Sequence, residues 1–227
     1  MNRMLHLEDR RNTKTVATIV LSVFLACALA IVGDVIHRRK RAETFLRDAT
    51  SLQLREATLT QVQQLVARYE GRVEPSTCSP KGCGYFFSFD NGWLHRLHLA
   101  PRTRLTCTLG VADGFLDYRR VFLTSGNTAG EFGAFVQERL SSPKGIPEPF
   151  SISRGWTTRR WRVYVDMTGD ATADQHRIAY SLNLECLSKI GGCEDAYQLL
   201  PSVTWEQTSP NGVSPNATET HPLGENN

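Results

Sequence analysis

The chain predicts an α+β protein: an N-terminal transmembrane helix followed by one antiparallel β-rich domain with two short packed helices. Three observations carry that expectation. An uncharged run, Val16 to Gly33, stands near the start. Beyond it, several segments alternate apolar and polar residues, the period of half-buried strands. Two others place apolar residues at helical spacing behind a capping pattern.

At about 1.5 Å per residue the uncharged run spans about 27 Å, close to the roughly 30 Å of a bilayer's hydrocarbon core. Three readings compete: a permanent anchor, a cleaved signal ending at Ala28-Leu29-Ala30, and a lipoprotein signal with Cys27 as the modified residue. Cleavage at either place leaves Ile31, Val32, Val35 and Ile36 at an apolar new N-terminus, so the anchor fits better. The expected segments are a short basic N-terminal stretch (1–14), a transmembrane helix (15–36), a juxtamembrane helix (37–49), a globular domain (50–205) and a disordered tail (206–227). Phe45, Leu46 and Ala49 line one side of the juxtamembrane helix. The tail lacks the apolar residues that would offset ordering entropy. Its Asn216-Ala217-Thr218 fits a glycosylation acceptor pattern.

Basic residues do not settle the orientation. Arg3, Arg10, Arg11 and Lys14 precede the run, and Arg38, Arg39, Lys40 and Arg41 follow it. The formal net charge of +3 concentrates beside the run, where anionic headgroups attract it. The body is close to neutral and gives no broad drive toward nucleic acid. Cysteines tip the balance. Cys78 with Cys83 and Cys186 with Cys193 each enclose a short glycine-containing loop, which suits two local disulfides in an oxidising compartment. Unpaired thiols and a four-cysteine zinc site are the alternatives, but the gaps of C-S-P-K-G-C and C-L-S-K-I-G-G-C exceed usual zinc spacing. Cys107 alternates with Leu105, Leu109 and Val111 and reads as a buried, inert thiol. The expected place is the cell membrane, single-pass, with the large domain extracytoplasmic.

The elements follow in order. Ser51–Leu54 suits a short strand. Thr60 and Gln63 form a capping box ahead of Val62, Leu65, Val66 and Tyr69, and Gly71 supplies a stop. Tyr85–Phe89, the Asp90-Asn91-Gly92 turn and Trp93–Leu99 read as a hairpin. Arg104–Val111 and Phe115–Thr124, joined by Ala112-Asp113-Gly114, read as a second. Thr128 and Glu131 suggest another capping box, before a helix bearing Phe132, Phe135, Val136 and Leu140. A Ser/Pro/Gly-rich loop covers Ser141–Pro149. Trp161, Val163, Val165 and Met167 alternate with Arg160, Arg162, Tyr164 and Asp166. Ile178, Tyr180, Leu182, Leu184 and Cys186 alternate in turn with polar neighbours, so both segments predict antiparallel strands.

Motifs for chemistry are sparse. The sequence has no G-x-S-x-G, Walker loop or H-E-x-x-H, and no cofactor is expected. His95 and His98, three apart on a predicted strand, point to opposite faces and cannot share a metal. Asp166, Asp170 and Asp174 recur every fourth residue, unlike a calcium loop. The candidate contact set is Arg154, Trp156, Arg159, Arg160 and Arg162, since arginine beside tryptophan suits a partner surface. Leu52-x-Leu54 followed by Thr58–Leu65 resembles the opening of the small outer-membrane assembly lipoproteins. That resemblance implies a helix and then a hairpin behind an export signal; the lipidation box departs from the family pattern. The functional expectation is a membrane-anchored envelope protein that binds or assembles with a protein partner in the cell envelope. The alternative is a membrane-bound hydrolase or transferase whose residues meet only in the fold.

Overall fold

One helix, α1 (Asn2–Ser51), forms both the apolar run and the spine of the domain. The computed structural model describes residues 2–127, 130–140, 149–157 and 160–202, the side chains of 2–15, 127, 154–157 and 160–161 excepted. From Val16 the helix is long and apolar enough to cross a membrane, and its apolar window is wholly unburied. After Gly33 its character changes. Val35, Ala42, Phe45, Leu46 and Ala49 are all buried against the domain. Phe45 is the hub, with ring centroids 5.2 Å from Tyr69, 4.6 Å from Phe87 and 5.1 Å from Phe89.

The basic cluster after the run is engaged by the fold. Arg38 pairs with Asp34 at 2.7 Å, Arg39 with Glu43 at 2.7 Å and Glu185 at 3.3 Å, and Arg41 with Glu70 at 2.9 Å.

Helix α2 (Leu59–Tyr69) begins two residues earlier than the sequence suggested. Thr58 and Gln61 form the box in place of Thr60 and Gln63, and the Thr58 amide donates to Gln61 Oε1 at 2.8 Å. Thr58 also bridges to Phe115 of the sheet, which fixes the entry point. Glu70, at φ 57°, takes the left-handed position that ends the helix, and the Gly71 amide donates to Val66 O.

Seven strands follow: β1 (Arg72–Ser79), β2 (Gly82–Asp90), β3 (Arg102–Ala112), β4 (Phe115–Asn127), β5 (Gly130–Arg139), β6 (Phe150–Thr157) and β7 (Arg160–Thr168). They form one sheet in the order β1-β2-β3-β4-β5-β7-β6. All neighbours are antiparallel except β5 and β7. The β3–β4 turn forms as predicted, with Asp113 at φ 52° and Gly114 at φ 85°, the positive values a tight hairpin requires.

Four local expectations change. Trp93–Leu99 is no strand: Gly92–Arg96 forms a short helix, α3. Asn91 closes the β2–β3 ladder by donating from its amide to Pro101 O at 2.9 Å and accepting from the Thr103 N–H at 2.9 Å, so the chain turns aside there. Residues 130–139 are strand β5, not a capped helix. Phe132 and Val136 are four apart, a spacing that shares a face in both structures, and Phe135 resolves it by facing the other way. Ile178–Cys186 is not a strand either. Thr172 and Gln175 cap helix α4 (Ala173–Ala179), and a 3-10 turn (Leu184–Leu187) and helix α5 (Ala196–Leu199) follow. Ser51–Leu54 ends α1 and turns instead of pairing. The tail, Thr128 and most of the Ser141–Pro149 loop lie outside the described residues.

Helices α1, α2, α4 and α5 and the 3-10 turn all join one apolar core on one face of the sheet. Leu105, Cys107 and Leu109 of β3, Val121 and Leu123 of β4, Ala134 and Val136 of β5 and Val163 and Val165 of β7 supply the sheet side.

Candidate functional site

The opposite face of the sheet carries no helix among the described residues. Its side chains fall into rows because the strands are in register. Thr106 sits opposite Phe122, Phe122 opposite Phe135, and Phe135 opposite Tyr164. Phe122 and Phe135 stack with centroids 4.1 Å apart, and Tyr164 meets Phe135 edge-on at 5.5 Å. These three rings are half-buried and do not join the core. One row along lie Arg120, Gln137 and Asp166, and on the other side Arg104, Thr124, Gly133 and Arg162. Arg120 stacks over Tyr118 at 4.7 Å. Arg139 is 3.7 Å from Asp166, and Arg162 is 3.7 Å from Glu131. The result is an aromatic platform with a rim of paired charges.

Arg162 of the sequence-derived set therefore stands beside this platform, on β7 opposite Gly133 and Gly155. Arg154 and Trp156 occupy β6, the outermost strand, in register with Val163 and Trp161, and Arg160 pairs with Thr157. Their side chains, and Arg159 altogether, lie outside the described residues. Sequence reading passed over Phe122, Phe135 and Tyr164. The signal was present in Tyr164, an aromatic residue on the polar phase of an alternating strand.

A second constellation sits on the covered face. Arg119 and Glu138 are 1% and 4% exposed. Arg119 Nη1 donates to Glu138 Oε2 at 2.9 Å, and the Tyr180 hydroxyl donates to the same oxygen at 2.7 Å. Arg119 Nη2 donates to the carbonyl of Leu52, just past the end of α1, where a cation complements the helix dipole. Burial, with Glu138 alongside, raises the Tyr180 pKa well above its ordinary value against the opposing pull of Arg119. The phenol therefore stays protonated and remains a donor. Glu138 Oε1 faces His176 Nδ1 at 3.9 Å across the wall of a cleft of about 630 Å³, lined also by Thr50, Arg55, Gly169 and Asp170. With one carboxylate oxygen engaged twice, this cluster works as a lock between the end of α1, β4, β5 and α4. Two of the three locking residues were legible as irregularities: Arg119 and Glu138 lie in phase with Val121 and Val136 on the apolar side.

The cysteines behave as two pairs and two singles. Cys78 and Cys83 are joined with Cα atoms 4.0 Å apart, and Cys186 and Cys193 at 5.3 Å. The first pair staples the β1–β2 hairpin; the second is buried with the core. Cys107 is buried, and desolvation pushes its pKa up to about 12, the nearby Arg119 acting the other way. Cys27 is exposed on the apolar run. His95 and His98 lie on and just after α3 instead of on a strand, and both line a cavity of about 480 Å³ with Cys193 and Glu194. Among the described residues no three His, Cys, Asp or Glu side chains converge on a metal position. No family model, curated protein or solved structure matches this chain.

Proposed function

We propose that this protein is a membrane-tethered binding module of the cell envelope, its domain extracytoplasmic, that engages a protein partner through the uncovered face of its sheet. The observation that carries the reading is the Phe122–Phe135–Tyr164 platform, which no helix covers among the described residues, α1, α2, α4 and α5 joining the core on the other side. Aromatic residues at the centre with arginine and acidic residues at the rim match the anatomy of protein interfaces. The outer edge of β6, which pairs with no other strand among the described residues, adjoins it through β7 and offers further backbone groups to a partner strand.

Two features support the orientation. Both cysteine pairs lie at bonding distance, as an oxidising compartment favours. Of the basic residues after the apolar run, Arg38, Arg39 and Arg41 are held by carboxylates of the domain and of α1. A structural role accounts for them without invoking a cytoplasmic side.

The test is photocrosslinking in intact cells with the full chain carrying the photoreactive residue at Phe122, Phe135 or Tyr164. The expected result is one discrete protein adduct, absent from a control position at Glu70 and lost on Arg162→Glu. Equal adducts from Glu70, or none from the platform, would sink the reading. Sidedness is read separately, by labelling thiols of intact cells with an impermeant reagent. Labelling is expected only after reduction; labelling confined to permeabilised cells would place the domain in the cytoplasm.

A further inference from the structure

Where the apolar run ends, the domain presents a second surface. Val35 of α1 is buried together with Leu94 of α3 and Ala100, and Ile31 packs against the same small cluster. This contact is separate from the main core. It fixes α3 at the level of Ile31 to Val35, where the uncharged segment gives way to Asp34 and the basic residues. In a membrane-spanning α1 that level is the headgroup boundary, since Val16 to Gly33 covers about 27 Å of a roughly 30 Å core.

At this level the domain exposes apolar side chains. Trp93 is 43% exposed, Leu97 45%, Leu99 44% and Ile190 70%. Outside α1 the described residues expose only three other large apolar side chains, Val73, Phe115 and Tyr197. The four form one neighbourhood. Leu97 stands one turn after Trp93, its amide donating to Trp93 O at 3.0 Å, and the Gly191 amide donates to Leu99 O at 2.8 Å, which brings Ile190 beside the same loop. Arg96 lies over the Trp93 ring at 5.5 Å, and Lys189 is exposed next to Ile190. Tryptophan with aliphatic residues and flanking cations is the composition of a segment seated in the interfacial zone of a bilayer.

We infer that the α3 loop, Gly92–Leu99, together with the Lys189–Gly192 turn, is a membrane foot. Its apolar side chains enter the headgroup layer beside the exit of α1. The domain is thereby held at two points, the helix and the foot, so it cannot swivel freely about the helix axis. This rests on the reading of α1 as membrane-spanning. It also explains why α3 replaces the expected strand: Asn91 ends the β2–β3 ladder and sends the chain toward α1.

The test uses the full chain in vesicles of mixed neutral and anionic lipid, the lipid carrying bromine either near the headgroup or near the chain ends. Tryptophan emission is expected to be quenched more by the shallow bromines, and Trp93→Phe should remove most of that shallow quenching. Leu97→Trp in the Trp93→Phe background should restore it. If the vesicles carry the protein through flotation after a high-salt wash but Trp93→Phe leaves the quenching unchanged, the foot is refuted while the anchor stands. If the protein fails to float, the anchor itself is refuted and the foot with it.

Discussion

The two faces of the sheet are made by the same strands and differ in what a side chain does there. On the covered face Leu105, Val121, Val136 and Val165 lie under α1, α2 and the C-terminal helices and are fully buried. On the other face Phe122 and Tyr164 flank and touch Phe135, and the three half-face solvent. Burying an apolar side chain stabilises by about 1.5–3 kcal/mol. Large apolar side chains left on an open face contribute less to folding and stay available to a partner. Substitutions on the covered face should therefore cost stability, and substitutions on the open face should cost binding.

The sharpest break in that contrast is Arg119, a charge on the wrong side. Arg119→Ala leaves Glu138 buried without its cation and frees the Leu52 carbonyl. The expected loss is about 3–5 kcal/mol, read as the denaturant midpoint of the full-length protein in detergent. The double variant Arg119→Met, Glu138→Leu should recover part of it, because no charge is then left buried without its counterion, while the Tyr180 hydroxyl and the Leu52 carbonyl still lose their partners. A single variant as stable as the parent would show that the lock contributes nothing.

The disulfides sharpen the comparison next. Closing so short a loop stabilises by about 2 kcal/mol in the chain-entropy description. Cys186→Ala with Cys193→Ala should cost more than Cys78→Ala with Cys83→Ala. Cys186 and Cys193 are buried in the core, whereas the other pair sits on a hairpin away from it. Thermal unfolding of the two double variants in the same detergent measures the difference; equal shifts would mean that packing around Cys186 is unimportant.

How much of this was legible follows from which signals are local. The apolar run, the cysteine pairing, helix α2 and the β3–β4 hairpin rest on residues close in sequence, and each is present. Two of the failures concern ambiguous periods. Phe132 and Val136 fit helix or strand equally, and only pairing with β4 and β7 decides. Ile178, Tyr180, Leu182 and Leu184 alternate only in sequence: Ala179 is the buried residue of α4, Leu182 and Leu184 are buried by the turns after it, and Thr172 starts a helix that a period-two reading overlooks. The aromatic platform was invisible because β5 and β7 pair in parallel across a crossover, which no local pattern announces. Arg119 and Glu138 were visible only as charges in an apolar phase, a cue that becomes meaningful once the strands are paired.

Alkaline stability separates the covered face from the open one by titration. Burial holds the Cys107 pKa up at about 12 against an ordinary 9.0. In the folded state the thiol keeps its proton while the unfolded chain loses it. The corresponding stability is fully present below about pH 9 and is lost as pH rises toward about 12. Tyr180, raised for the same reason, acts in the same direction at higher pH. The denaturant midpoint should fall across this window, and Cys107→Ala should fall less steeply. Parallel curves for the two proteins would remove Cys107 from the account.

The smallest expected effect on folding is the one that matters most for function. Tyr164→Ala removes an edge-on contact with Phe135 and leaves the core untouched, so its cost should be on the order of 1 kcal/mol. If the open face is the binding face, that same change should abolish the adduct formed from Phe122 in intact cells, because a central aromatic residue carries a large share of interface energy. Thr106→Ala, on the same row but beyond the rings, should leave the adduct in place. A Tyr164→Ala protein that loses stability like a core variant and keeps the adduct would invert the assignment. The platform would then be a second layer of core, and the partner surface would have to be sought along the β6 edge.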